Sequence, residues 1–448
     1  KYQIHYSVLS NNKTIKSGKV SLDIAPQASK EFTVPVNGLK SQPGTEYFVN
    51  FSVTTVEPEP LIPAGYEIAY DQFQLPIQAE KRIYKANGPA LTTATSGDEL
   101  TVSSSKVNFV FNKKSGLVTS YKVDGTEYFK DGFGIQPNFW RAPNDNDYGN
   151  GAPKRLQVWK QSSKNFHVTD VKMTTGNKVV SLKATYLLAA GNLYVVTYRI
   201  YPSGIVNVSA QFTSTDMQAA ETEVSEATRM ATFTPGSDAA RKAASKLEVP
   251  RIGVRFRLPA QMNNVQYFGR GPEENYIDRN HGTLVGVYKT TADKMYFNYV
   301  RPQENGHHTD TRWIALSPDK GNGLAIVADS LIGFNALRNS IEDFDSEEAL
   351  PHPYQWNNFS PEEVANHDEK AARNVLRRMH HVNDITPRDF VEVCVDMKQQ
   401  GVGGYYSWGA RPEPFHQIPA NRDYSWGFTL VPVRSASQAN EVAKYDYQ

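Results

Sequence analysis

Residues 193–212 read LYVVTYRIYPSGIVNVSAQF, and apolar side chains fill alternate positions on both sides of a Pro-Ser-Gly turn. Val206, Val208, Ala210 and Phe212 form the clearest row. A period of two is typical of a β-strand with one buried face, and a short turn between two such rows predicts an antiparallel hairpin. This stretch therefore predicts an all-β fold.

The same alternation continues towards both ends of the chain. Near the N-terminus, rows of apolar residues begin at Tyr2, Val20, Phe32 and Tyr47, which predicts a strand at each position. The spacing of these rows and the composition between them predict four segments. They are a small immunoglobulin-like β-sandwich over residues 1–80, a polar linker over 81–97, a large two-sheet domain over 98–435 and a loose tail over 436–448.

Two local features of the large segment stand apart from the strand pattern. Ser360, Pro361 and Glu363 supply an N-cap, a first-turn proline and a capping-box glutamate, which predict a surface helix to about Arg378. The single cysteine, Cys394, lies in an alternating strand and is predicted to be a small buried hydrophobe. One cysteine cannot form a disulfide within the chain.

The charge balance argues against several classes of partner. The 448 residues carry 48 Lys and Arg against 47 Asp and Glu, whereas nucleic acid and anionic membranes require a basic patch. No run of about 18 apolar residues is present that would span a bilayer. The sequence opens within a strand at Lys1 with no signal peptide before it, so we expect a piece of a longer protein. Both a cytoplasmic and a periplasmic location stay open.

Four clusters of aromatic and polar residues are candidates for function. The first, NFWRAPNDNDYG at 138–149, holds Asp145 and Asp147 in a loop bounded by glycine. Alternate carboxylates of this kind can converge on a hard cation such as calcium. The alternative is that these side chains cap a buried turn.

The second cluster is YFGRGPEENYIDR at 267–279. Retaining glycosidases need two carboxylates that face each other across the scissile bond. Glu273 and Glu274 are adjacent and would point to opposite faces of a strand, so they are poor candidates for that pair. An ion-pair network with Arg270 and Arg279 is the expected role.

The third cluster, RPQENGHHTDTRW at 301–313, places Glu304 close to His307 and His308. These side chains could act as acid and base on a sugar or could hold a metal ion. The alternative is a polar loop at a strand end whose hydrogen bonds are satisfied within the protein.

The fourth cluster is GVGGYYSWGARP at 401–412, in which glycines permit an unusual backbone and present Trp408 between tyrosines. An exposed indole is a natural platform for the apolar face of a sugar ring. The alternative is that Trp408 closes the end of the sandwich.

These four segments resemble, in the same order and spacing, the C-terminal region of family 2 β-galactosidases. FWRAPNDND, FGRGPEENYIDR, RPQENG and GVGGYYSWGARP look like the small-chain domain of that family, a galactose-mutarotase-like β-supersandwich. The stretch from YQIHYSVL to YDQFQLP looks like the immunoglobulin-like domain that precedes it. The resemblance extends from Tyr2 to about Pro432.

The resemblance implies a retaining hydrolase of terminal β-galactosides whose catalytic residues lie outside this chain. The family carries its two catalytic glutamates and its main metal site in a TIM barrel upstream of this region. The parent enzyme would therefore hold any divalent cation or sodium, would form a homo-oligomer, and would lose activity without the barrel. We expect no catalytic residue and no cofactor in this chain itself.

One functional residue of the family does map onto this chain. Trp408 looks like the tryptophan that lines the aglycone side of the active site, with Tyr405, Tyr406 and Arg411 beside it as further substrate-binding residues. The two tyrosines stand where acidic residues are frequent in the family, which implies a bulkier or substituted galactoside as substrate in place of lactose. Alternatives are an autonomous carbohydrate-binding module and, less favoured, an aldose-1-epimerase-like enzyme that would use the third cluster.

Overall fold

The fold was established from a computed structural model that describes residues 1–21, 23–176, 178–214, 248–345, 381–406 and 409–447. Strands dominate these ranges, so the prediction of an all-β fold, with a small β-domain followed by a large two-sheet domain, is confirmed. The helix predicted from Ser360 to Arg378 lies outside the described residues. Within the described ranges, none of the helices has the length and apolar character needed to cross a membrane.

The first domain is built on a four-stranded antiparallel sheet with the order β2-β1-β3-β4. Its strands are β1 Tyr2–Ser10, β2 Lys13–Val20, β3 Tyr47–Thr55 and β4 Glu67–Gln74. The aromatic rings of Phe51 and Phe73 on one face lie 5.9 Å apart, and Phe32 packs against Phe51 at the same distance.

Two of the four predicted strand positions in this domain are wrong. Val20 ends β2 instead of beginning a strand, because β2 is an exposed edge strand whose sequence KTIKSGKV lacks an apolar face. Phe32 lies in chain that forms no strand in the described part of residues 21–46, although its ring packs against Phe51. β2 is defined by its backbone pairing with β1 and not by a row of apolar residues. The alternation of apolar residues in the sequence therefore could not predict where it begins and ends.

The described residues of the large domain form a five-stranded and a twelve-stranded sheet. The smaller sheet has the order β10-β9-β8-β7-β6 and consists of β6 Thr92–Ser96, β7 Glu99–Ser103, β8 Val107–Asn112, β9 Leu117–Val123 and β10 Thr126–Glu127. The larger sheet consists of β11 Gln136–Asn138, β12 His167–Thr175, β13 Val180–Leu187, β14 Leu193–Ile200, β15 Val206–Thr213, β16 Arg251–Pro259, β17 Asn264–Gly271, β18 Leu284–Thr291, β19 His308–Ser317, β20 Gly323–Leu337, β21 Phe390–Gln399 and β22 Tyr424–Val433.

The larger sheet follows the order β11-β16-β21-β20-β22-β15-β14-β13-β12, and β17 joins it through β19 with β18 at its side. Short helices connect the strands: α1 Asp145–Gly149, α2 Ala152–Arg155, α3 Gln157–Lys164, α4 Ala292–Met295, α5 Ile341–Phe344 and α6 Ala439–Val442. Single 3₁₀ turns cover Lys130–Gly132, Val382–Asp384, Pro414–His416 and Ala436–Gln438.

The main core lies between the two sheets of the large domain. The predicted hairpin is present as β14 and β15, which pair from Leu193↔Thr213 to Ile200↔Val206. The apolar row of β15 is buried, as the alternation requires. The ring of Tyr198 in β14 lies 5.7 Å from the ring of Phe109 in the opposite sheet.

The first domain packs on the large domain through β17 and β18. Phe48 meets Phe268 in an edge-to-face contact with 6.5 Å between ring centroids. Next to it, the Arg312 guanidinium lies 2.7 Å from the carboxylate of Glu46. The two domains are therefore joined by apolar and charged contacts and not by the connecting chain alone.

The connecting chain and the C-terminus are more ordered than predicted. Within the predicted linker 81–97, β6 is a full member of the small sheet, and β5 Arg82–Ile83 pairs in parallel with β23 Tyr445–Asp446. The prediction of a loose tail over 436–448 is wrong for the described residues 436–447, where Tyr447 is 4% exposed. Contacts between segments more than 350 residues apart leave no local pattern in the sequence, so they were missed.

We predict that Tyr447→Ala destabilises the fold. The Tyr447 ring packs on Tyr84 at 5.1 Å, and its backbone oxygen accepts a 2.6 Å hydrogen bond from the Tyr201 hydroxyl. Loss of a buried aromatic ring costs about 3 kcal/mol, which urea denaturation of the chain would register as a lower midpoint. Tyr66→Ala, at a tyrosine that is 53% exposed, is the control and should change the midpoint little. Equal effects of the two variants would contradict the packed C-terminus.

Candidate functional site: the glycine-rich loop and its buried support

The site begins with a row of charges inside the large sheet. Strand β16 carries Arg251, Arg255 and Arg257 in one row with Gly253, and the alternating Ile252, Val254 and Phe256 belong to the main core. The arginines therefore lie on the opposite face of the sheet. Arg251 is fully buried there, so its charge requires partners from the segments that cover this face.

Arg251 gathers those partners from several of the four clusters. Its Nη2 lies 3.3 Å from Glu304 Oε1 and donates to Asn335 Oδ1 at 2.9 Å. Its Nη1 donates to the Trp140 backbone oxygen at 3.4 Å, and its guanidinium also contacts the side chain of Gln399. The Arg251 guanidinium thus connects the first cluster, the third cluster and the end of β21. The glycine-rich loop begins directly after that strand.

A second carboxylate, Asp396, completes the charge cluster. Asp396 is fully buried on β21, with Oδ2 3.3 Å from Arg251 Nε and 3.9 Å from His307 Nδ1. Burial raises the pKa of Asp396 to about 7, although the positive charge of Arg251 opposes that rise. Burial likewise disfavours the charged form of Arg251, but Asp396 and Glu304 outweigh it and raise the Arg251 pKa.

The three residues of the third cluster are enclosed instead of facing a ligand. Glu304 is 7% exposed, and His307 and His308 are 1% and 2% exposed. The interpretation of these residues as sugar-facing is therefore wrong. Glu304 and His307 belong to the buried cluster around Arg251 and Asp396, and His308 is buried beside them. The alternative of a satisfied polar loop agrees with the structure, since His307 Nδ1 lies 2.9 Å from Asn335 Oδ1.

Both histidines are held in their neutral form. Burial is the main cause that lowers the pKa of His307 well below its usual value, and the nearby Arg251 charge lowers it further. Burial also lowers the pKa of His308 to about 4, while its contact with the Arg270 backbone oxygen at 3.1 Å acts in the opposite direction. Neutral, enclosed imidazoles suit packing more than acid–base exchange with a substrate.

The second cluster forms a tight turn that packs on the third. Glu274 pairs with Arg279 at 2.8 Å, as expected, whereas Arg270 pairs with Asp310 and not with Glu273. The turn from Tyr276 to Arg279 closes through reciprocal backbone hydrogen bonds of 3.3 and 2.7 Å. The turn is held against the third cluster, because the buried Tyr276 ring stacks on His307 with 5.5 Å between ring centroids.

The first cluster caps a helix and does not gather carboxylates. Asn144 and Asp147 form a capping box at the start of α1. The Asp147 carboxylate also receives two 3.1 Å hydrogen bonds from Arg141, whereas Asp145 pairs with Arg301. The two aspartates therefore do not converge, and the described residues contain no group of three or more His, Cys, Asp or Glu side chains suited to a metal ion. The Asx-capping alternative agrees with this geometry.

The fourth cluster leaves the end of β21 as a loop whose neck is clamped from both sides. On one side, Arg141 donates to the Gln400 backbone oxygen at 2.8 Å and Asn144 donates to that of Val402 at 3.2 Å. On the other side, the carboxylate of Asp278 accepts hydrogen bonds from the backbone N–H groups of Val402 and Gly403 at 3.0 and 2.8 Å.

The predicted substrate-binding residues of this loop have different surroundings. Tyr405 and Tyr406 are 57% and 54% exposed, and the Tyr405 hydroxyl accepts a 2.7 Å hydrogen bond from the Glu413 backbone. Arg411 instead pairs with Glu248 at 2.7 Å, a carboxylate that Arg155 also contacts. Arg411 is therefore engaged in holding the base of the loop. Trp408 lies outside the described residues.

Sequence reasoning missed the residues that support the loop. Arg251, Asp396 and Glu248 lie outside the four clusters, and Asp278 was not singled out within the second. A signal was present for the first two, because charged residues alternate with apolar ones in both β16 and β21. The charged residues include arginines in β16 and carboxylates in β21. When two strands carry such complementary charges between apolar residues, a row of buried ion pairs between them is indicated. Asp278 gives no comparable signal, because its partners are backbone groups.

Fold and site together define a two-domain all-β chain that buries its charge cluster and presents an anchored aromatic loop. Residues 103–430 match the family described as β-galactosidase small chain, and residues 1–76 match β-galactosidase domain 4. The chain belongs to the β-galactosidase small-chain family, which confirms the resemblance drawn from its motifs.

Relatives with known names agree with that assignment. The β-galactosidase of Priestia megaterium is 31% identical over 436 residues, which cover 96% of this chain and 36% of the relative. The β-galactosidase of Streptococcus thermophilus is 24% identical over 95% of this chain and 35% of its own length. The chain thus spans about a third of the length of these relatives. Among solved structures, a galactose mutarotase related enzyme from Lactobacillus acidophilus aligns with 75% of this chain and 98% of its own at 7% identity and a TM-score of 0.37.

We predict that His308 makes the fold sensitive to acid. Its folded pKa of about 4 is depressed from the ordinary 6.5, so the unfolded chain takes up a proton first as the pH falls. The stability that neutral His308 provides is complete above about pH 6.5 and is lost as the pH falls from there towards 4. His308→Gln should remove about 2 kcal/mol of the stability difference between pH 7 and pH 5.

Urea denaturation at the two pH values measures this difference. His281→Gln, at an exposed histidine of the same domain, is the matched control and should leave the pH dependence as in the unaltered chain. A stability difference between pH 7 and pH 5 that is equal in all three proteins would contradict the prediction.

Proposed function

We propose that this chain is the C-terminal, non-catalytic part of a retaining β-galactosidase that acts on terminal β-galactosides. In this proposal the glycine-rich loop forms an aromatic wall on the aglycone side of an active site. The catalytic glutamates, any bound cation and the contacts of a homo-oligomer belong to the longer protein, with the glutamates in a TIM barrel. Trp408 is the main stacking residue, with Tyr405 and Tyr406 beside it.

The observation that carries the proposal is the construction of the loop. Its neck is held by hydrogen bonds from the first and second clusters, and beyond the neck two tyrosines are more than half exposed. Exposed aromatic side chains on a fixed backbone lose little conformational freedom when a ligand stacks on them. A rigid, sequence-specific support is not needed for a loop that only closes the end of a sandwich.

The charge cluster supports a non-catalytic role for the chain. Glycoside hydrolysis requires an acid and a nucleophile that both reach the sugar. Glu304 and Asp396 are enclosed and share the Arg251 guanidinium, so neither is accessible to a glycosidic bond. The same enclosure of His307 and His308 argues against the epimerase alternative.

The tyrosines also bear on the substrate. Tyr405 and Tyr406 present two phenol rings where the family often has acidic residues, and Phe415 is 71% exposed close by in the sequence. Aromatic surfaces favour apolar or aryl groups over a second hydrophilic sugar. The parent enzyme should therefore accept galactosides whose aglycone is bulkier or more apolar than the glucose of lactose.

We predict that Trp408→Ala in the longer protein weakens the use of aryl galactosides. Loss of one stacking ring should lower kcat/KM for nitrophenyl β-galactoside about tenfold, mainly through KM, because the ring contacts the aglycone and not the bond that breaks. Trp408→Phe keeps a ring and should recover most of the activity. Tyr66→Ala, at an exposed tyrosine of the first domain, is the control. An unchanged KM in Trp408→Ala would contradict the proposal.

We also predict that the 448-residue chain alone does not release nitrophenol from nitrophenyl β-galactoside. Calorimetry with galactose and galacto-oligosaccharides on the same preparation separates this proposal from the carbohydrate-binding alternative. Binding at sub-millimolar concentrations would favour an autonomous module. Turnover that disappears when Glu304 is changed to Gln would show that the chain has a catalytic centre of its own.

A further inference from the structure

The neck of the glycine-rich loop depends on a carboxylate that belongs to a different cluster. Asp278 lies in the turn from Tyr276 to Arg279, 124 positions before Val402 in the chain. Its Oδ1 accepts a hydrogen bond from Val402 N at 3.0 Å, and its Oδ2 accepts one from Gly403 N at 2.8 Å. Two successive backbone N–H groups that converge on one anion form a concave binding site for it.

The backbone of the loop is shaped around this carboxylate. A Cβ atom at position 401 would lie 2.6 Å from Asp278 Cγ, so only glycine leaves room for the side chain. Gly403 has a positive φ of 68°, which glycine adopts without strain, and a Cβ atom there would collide with the Ala410 backbone oxygen. Gly403 and Ala410 are therefore the two sides of the neck, and the exposed Tyr405 lies beyond it.

The turn that carries Asp278 is itself held firmly. Asn275 accepts hydrogen bonds from the backbone and hydroxyl of Thr309 at 2.9 and 2.6 Å, and its own backbone N–H donates to His307 O at 2.7 Å. Tyr276 is buried on His307, next to the Arg251 cluster. The position of Asp278 is thus fixed by the buried face of the sheet and not by the loop that it holds.

We propose that Asp278 is a positioning residue for the reaction of the parent enzyme. Its carboxylate sets the conformation of the loop neck and thereby the place where the aromatic side chains beyond the neck meet the aglycone. This inference rests on the proposed function of the loop. Each carboxylate oxygen of Asp278 accepts a hydrogen bond from the backbone of the loop, so the role assigned to Asp278 is to hold the loop.

Asp278→Asn in the longer protein tests the inference, because it keeps the size of the side chain and replaces one acceptor oxygen by a donor. One backbone N–H of the neck would then face an amide N–H₂ group. Hydrogen bonds to charged groups are strong enough that the loss should lower kcat/KM for nitrophenyl β-galactoside about tenfold. β-Galactosyl fluoride has no aglycone ring, so its kcat/KM should change less than about twofold.

The ratio of the two kcat/KM values is the informative readout, since general damage to the fold would lower both values together. Trp408→Ala should shift the ratio in the same direction, and Asp278→Asn should add little in a Trp408→Ala background, because both changes remove the same contact. Gly401→Ala is a second variant that displaces the carboxylate without removing its charge, and it should shift the ratio as well. Asp310→Asn is the control, because Asp310 pairs with Arg270 and not with the loop.

The outcomes separate the two proposals. If Trp408→Ala leaves the ratio unchanged, the aromatic wall of the proposed function is wrong. If Trp408→Ala shifts the ratio while Asp278→Asn and Gly401→Ala do not, the wall stands and the positioning role of Asp278 is overturned. An equal loss on both substrates in Asp278→Asn, or additive effects with Trp408→Ala, also overturns it by assigning Asp278 to general stability.

Discussion

The burial of Arg251 is the constraint on which the rest of the site depends. A guanidinium that is fully enclosed is tolerated only where carboxylates and hydrogen-bond acceptors surround it. Glu304, Asn335 and Asp396 meet that requirement, and the Trp140 backbone and the Gln399 side chain add further contacts. The segments that carry these residues are far apart in the chain. They must therefore come together on the face of the large sheet where Arg251 lies.

The same requirement explains why the candidate acid–base residues of the third cluster are enclosed. Glu304 and His307 are polar because they accompany a buried cation, and an active site would need them open to solvent. Burial favours the neutral imidazole, while it raises the pKa of Asp396 against the opposing effect of Arg251. The cluster shifts pKa values as strongly as many active sites do, yet its geometry is that of a structural network.

The sequence was sufficient for strands whose two faces differ in polarity. The alternation in Val206–Phe212 predicted β15 correctly, whereas β2 was misplaced because both of its faces are exposed and its pairing is made by the backbone. For the site, the motifs identified which segments matter but not what each side chain does. The role of Asp145 depends on Arg301, which lies 156 positions away, and no local pattern reports such a partner. Aspartates at i and i+2 in a helix also diverge, which a loop interpretation could not anticipate.

The division between buried support and exposed loop has a physical basis. A glycine-rich segment loses more backbone entropy on ordering than most sequences do, so it stays flexible unless its backbone groups are bonded. Here those bonds concentrate at the neck, from Gln400 to Gly403, and their partners Arg141 and Asp278 stand on segments fixed by the charge cluster. The buried Arg251 guanidinium therefore supports the loop indirectly, through the segments that carry Arg141 and Asp278. The side chains of Tyr405 and Tyr406, beyond the neck, are more than half exposed and take no part in this support.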